Sequence, residues 1–106
     1  LTPYQLARRN VFDRLIGAVV RTEDAYDAAE LKAVQAKLDF LAASQYRVHN
    51  LAEFTDAVIN AEEQLYEAYI VTGEAKNLLW EMQNTARATP ILEQLINDEL
   101  KGFNHD

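Results

Sequence analysis

In nearly every segment of this chain the apolar residues recur at three- and four-residue steps, the spacing that lines one face of an α-helix. The pattern opens on a complete helix start, Leu1-Thr2-Pro3-Tyr4-Gln5-Leu6. Thr2 can cap the free amides of the first turn, Pro3 suits the first helical position, and Gln5 can bond back to the cap residue. Leu1 and Leu6 sit where a hydrophobic staple would close the entry. Three glycines and two prolines among 106 residues leave little room for long loops. The pattern predicts an all-α fold.

Punctuation along the chain predicts five helices, at 3–21, 24–43, 50–72, 74–87 and 90–101. Asp24 is placed to cap the second, Asn50 the third with Glu53 in a capping-box arrangement, and Thr89-Pro90 repeats the threonine-proline start. Gly73 and Gly102 suit left-handed terminating positions. A chain of this size with 49% hydrophobic residues makes one core, so the expectation is a single helical domain over 1–106. Its architecture would be four-helix bundle-like, with a short fifth helix at the C-terminal end.

The faces of these helices single out particular residues. The first expected helix gathers Tyr4, Ala7, Val11, Leu15, Ala18 and Val19 on a core stripe, and Arg8 falls inside the same apolar arc. The third carries a wide arc in which Glu62 is the odd carboxylate. Each intruding charge needs a partner or a route to water, and the two are expected to form a structural ion pair that docks the first helix on the third. The second helix has two seams of coiled-coil-like spacing: Leu31, Val34, Leu38 and Leu41 on one side, and Tyr26, Ala29, Ala33, Ala36 and Phe40 on the other. The leucine seam suffices to attach the helix to a bundle. The alanine seam is therefore expected to be a protein interface, together with Trp80, which lies off its own apolar stripe between Lys76 and Arg87. Trp80 should be partly exposed over one of those cations unless the last helix covers it.

The net charge of −7 is uneven: residues 1–21 carry four arginines against Asp13, a local +3 that leaves −10 for the rest. An acidic exterior discourages phosphate backbones and anionic lipid, so neither nucleic acid nor membrane is an expected partner. No run approaches the length of a membrane span. Without cysteine there is no disulfide or thiolate chemistry, and folding needs no oxidant. Because Met82 is the only methionine, the first residue is not a translation start, and the chain is expected to be a processed or excised piece.

Reactive constellations are missing. A carboxylate-bridged metal bundle needs Glu-x-x-His pairs, and none occurs; His49 lies beside a helix cap and His105 in the tail, so no metal site is expected. Ser44 is the one serine, in a loop with His49, which is not a triad. No glycine belongs to a phosphate-cradling pattern. No catalytic residue or cofactor is expected, and the protein is read as not an enzyme. The reading is a helical interaction or assembly module that binds another protein or forms a homo-oligomer through apolar helix faces. Two alternatives compete with it: an acidic inhibitor or mimic occupying a basic site on a macromolecular target, and a small-ligand-binding bundle with Glu62 in its cavity. Compartment is not fixed by these residues, with a soluble cytoplasmic setting slightly favoured.

Overall fold

A computed structural model describes residues 1–103. The described residues are all-α: α1 covers Pro3–Gln45, α2 covers Leu51–Asn84, a single 3-10 turn covers Ala86–Ala88, and α3 covers Thr89–Phe103. The expected bundle of four main helices and a short fifth is thus corrected to three α-helices, because two of the expected breaks are absent. The first and second expected helices are one continuous helix, as are the third and fourth.

Both fusions have a physical cause. Between Ala18 and Asp24 the sequence has neither glycine nor proline. Asp24 could serve as a cap, but a cap adds only about 1 kcal/mol once a helix has ended, and ending one means nucleating the next at a cost. Gly73 stays within α2, and no glycine among the described residues has positive φ. A glycine in a helix interior costs about 1 kcal/mol, too little to break a helix that is hydrogen-bonded on both sides.

The helix ends that do form are well determined. At the start of α1 the Gln5 amide donates to Thr2 Oγ1 at 3.1 Å, and Gln5 Oε1 accepts from the Thr2 amide at 2.9 Å, a reciprocal capping box. At its end the Val48 amide donates to the Ala43 carbonyl at 3.2 Å and the Arg47 amide to that of Ser44 at 3.4 Å, the Schellman pattern, with Arg47 left-handed at φ 52°. At the start of α2, Asn50 Nδ2 donates to Glu53 Oε2 at 3.1 Å, so the two expected capping residues meet through their side chains. Thr89 is already helical, with φ −53° and ψ −45°, so α3 begins at the residue expected to cap it.

The chain forms two compact units, residues 1–21 with 73–106, and residues 22–72. In the first unit Ala7, Val11, Met82, Ala88, Leu92 and Ile96 make the buried core, with Phe12, Leu15, Leu95 and Leu100 packed partly against it. Polar contacts fix α3 beside α1. Tyr4 Oη donates to Glu93 Oε1 at 2.8 Å, Asn10 Nδ2 donates to Glu99 Oε1 at 3.2 Å, and Arg14 pairs with Glu99. The partners advance in the same direction along both helices, so α1 and α3 run parallel there. In the second unit the order is reversed: Thr22 meets Thr72, Tyr26 meets Tyr69, and Lys37 meets Glu62. Residues 22–72 are an antiparallel helical hairpin.

Candidate interaction surface

The fully buried residues on the inward face of the hairpin are small. Ala33 is 2% exposed, and Ala43 and Ala61 are also buried. Tyr26, Ala29, Ala36 and Phe40 are half-buried on the same side of α1, and the Tyr26 ring lies 6.5 Å from that of Tyr69. Thr72 is buried as well, its hydroxyl 2.7 Å from the Ala68 carbonyl and 3.1 Å from that of Thr22. Small side chains on facing stripes let two helix backbones approach closely, and the tyrosines close the margin.

This arrangement corrects the assignment of the two seams. The Tyr26, Ala29, Ala33, Ala36 and Phe40 stripe is the face on which α1 meets α2 within the chain. At 100° per residue the leucine seam lies about 140° around the helix from it. Leu31 is accordingly 71% exposed, and Val34, Leu38 and Leu41 are exposed too. Periodicity alone points to the leucines as the attachment, since larger side chains offer more area to bury. The opposing signal lies in α2, where Ala61 on the inward stripe is buried as Ala33 is on α1, while the leucines of α1 stay outside.

The expected Arg8–Glu62 pair is replaced by two local contacts. The Arg8 guanidinium lies 4.9 Å from the centroid of the Phe12 ring, one turn along its own helix. Glu62 pairs with Lys37 across the hairpin, and its Oε1 is closed off from solvent. Arg8 belongs to the first unit, and Lys37 and Glu62 both belong to the second. Nothing in the sequence marks Lys37, because its partner depends on the register of the hairpin. Trp80 is 58% exposed, with its carbonyl accepting from Asn84 Nδ2 at 2.9 Å, while Arg87 turns to Glu81 instead.

A second outer stripe runs along α2. Ile59, Tyr66 and Ile70, spaced by seven and four residues, are exposed. Beside them Val58, Ile59, Glu62, Glu63, Tyr66 and Glu67 line a shallow groove of about 480 Å³. Glu62 therefore stands at an open groove with its charge met by Lys37. Among the described residues no three histidine or carboxylate side chains gather as a cation site, and His105 lies outside the described residues. No described helix is long and apolar enough to cross a membrane.

One carboxyl and one phenol of the first unit are shifted from their ordinary pKa values by their neighbours. Arg14 and Asn10 donate to Glu99 and hold its carboxyl below the usual glutamate value, Arg14 contributing most and partial desolvation opposing. The Glu93 carboxylate accepts from the Tyr4 phenol and pushes its pKa up. Both are structural contacts between α1 and α3. Comparison of the chain with protein-family models, with curated proteins and with solved structures finds no match.

Proposed function

We propose that this protein is a non-enzymatic helical assembly module, which binds itself or another protein through the leucine seam of α1. The observation that carries this reading is the exposure of Leu31, Val34, Leu38 and Leu41, four large aliphatic side chains at heptad spacing on one face of a helix. Their alternatives are water or a partner, and burying each against a partner helix is worth about 1.5–3 kcal/mol. The flanks suit such a contact. Ala28, Gln35 and Ala42 run along one side, and Glu30 and Lys37, of opposite sign, along the other. Between residues 28 and 42 the rim is nearly neutral and carries small residues, which admits a second helix there.

Sedimentation velocity on the wild type and on Leu38→Glu tests the proposal. Leu38 is exposed, so the substitution leaves the helix content unchanged by circular dichroism, and it places an unpaired charge in the middle of the seam. Association at micromolar concentration in the wild type, or capture of a partner, is expected to disappear in the variant. A wild type that stays monomeric and captures nothing sensitive to Leu38→Glu would overturn the reading.

A further inference from the structure

The outer face of α2 differs from the leucine seam in one respect: every charged side chain that residues 51–72 contribute to it is anionic, the Lys37 of α1 being taken up by Glu62. Residues 51–72 contain five carboxylates and no lysine, arginine or histidine. Asp56, Glu63 and Glu67 each stand three residues before a member of the Ile59, Tyr66 and Ile70 stripe, so an acidic row runs parallel to the apolar one. These three carboxylates are exposed and form no ion pair among the described residues. Tyr66 is 66% exposed at the groove.

We propose that this face docks a cationic amphipathic helix of a partner protein, its apolar stripe lying along Ile59, Tyr66 and Ile70 and its lysines or arginines along Asp56, Glu63 and Glu67. The inference rests on the reading of the chain as an interaction module and names the occupant of a second face. A helix is the matching shape, because spacings of seven and four residues present ridges that another helix fills, and α2 offers no unpaired backbone edge for a strand. A second copy of the chain is the wrong sign. The hairpin has three cations against ten carboxylates and so carries the whole net charge of −7, and self-pairing on this face would oppose one acidic row to another. Anionic lipid and nucleic acid are repelled for the same reason.

The probe is a fluorescent amphipathic peptide of about 20 residues made of leucine and lysine, long enough to hold a helix when bound, with a leucine–glutamate peptide of the same pattern as its opposite. Anisotropy titrations on the full chain are expected to show binding of the first peptide and none of the second. Tyr66→Ser should weaken binding at least about tenfold, the scale of losing one anchoring aromatic. The triple substitution Asp56→Asn, Glu63→Gln and Glu67→Gln should weaken it and flatten its salt dependence. Asp24→Asn, Asp27→Asn and Glu30→Gln remove as much charge from the other helix of the hairpin and should leave affinity within about twofold, since none of them stands in the acidic row of α2. All these positions are exposed, so the fold does not depend on them. Equal losses from the two triple variants, or none from Tyr66→Ser, would overturn the inference by showing general attraction of a cation to an acidic protein. A chain that dimerises alone and is made monomeric by Tyr66→Ser would also overturn it, assigning the face to a second copy while leaving the assembly reading intact. Peptide binding that survives Leu38→Glu in a chain with no other association would uphold this face and sink the leucine seam.

Discussion

Arg47 ends α1 in a conformation that arginine disfavours. Its φ of 52° crowds Cβ against the following carbonyl, a penalty of roughly 1–2 kcal/mol that glycine avoids, at the expense of more chain entropy lost on folding. Arg47→Gly should therefore raise stability by about 0.5–1 kcal/mol, read as a higher denaturant midpoint with an unchanged slope. A lower midpoint would show that the arginine side chain, not the backbone, holds the turn. The Schellman geometry was illegible in the sequence because its usual marker is absent here, whereas Thr2 and Gln5 announced their capping box openly. Titration supplies a second residue-scale prediction. With its folded pKa depressed, Glu99 contributes stability that is fully present above its unfolded pKa and lost as pH falls through the folded one, so the loss occupies the acid range below about pH 4. Tyr4 has the opposite sign: its raised pKa gives stability present below about pH 10 and lost above it as the phenol ionises. Unfolding midpoints followed across pH should flatten at the acid end in Glu99→Gln and at the alkaline end in Tyr4→Phe. Unchanged profiles would detach these contacts from stability.

At the scale of the element, the two faces of α1 between residues 22 and 45 divide the work. Enlarging Ala33, which is nearly inaccessible against α2, should force the hairpin apart, and Ala33→Leu should cost about 1–3 kcal/mol. Leu38→Ala, on the outer seam, should change the stability of the isolated chain by no more than about 0.5 kcal/mol. Thermal melts of the two variants at a concentration where the chain is monomeric decide the matter, and the reverse ranking would return the leucines to the core. That the chain is helical, that α1 starts at Thr2-Pro3 and that α2 starts after Asn50 were all legible, since each rests on local chemistry. The choice between two well-spaced seams was not. Periodicity shows that Ala33 and Leu38 lie on different faces, and only the register with Ala61 on another helix says which face turns inward. Asp24 and Gly73 misled for a related reason, because capping and terminating residues permit a helix to end without requiring it.

Across the whole molecule, burial and charge are distributed unevenly between the two compact units. Residues 1–21 with 73–106 bury valine, methionine, leucine and isoleucine side chains, each worth about 1.5–3 kcal/mol, whereas the hairpin buries three alanines and Thr72. The first unit has equal numbers of cationic and anionic side chains, and the hairpin holds the full −7. A unit with little buried area and strong self-repulsion opens locally at lower free energy. Hydrogen exchange on the chain alone should therefore find amides around Val11 and Ile96 protected longest, and those of residues 26–41 and 54–70 exchanging sooner. Salt sharpens the test: raising it to about 0.5 M shortens the Debye length to roughly 4 Å, relieves the repulsion among ten carboxylates and should slow exchange in the hairpin while changing the neutral unit little. Ile96→Ala should cost about 2–5 kcal/mol and accelerate exchange first in the unit that contains it. Covering the outer faces of the hairpin adds the area that its interior lacks, so a bound cationic helix should slow exchange at residues 54–70 beyond the effect of salt. Uniform protection in the free chain, unmoved by salt and lost everywhere at once in Ile96→Ala, would show one cooperative unit whose exposed seams need no partner for stability.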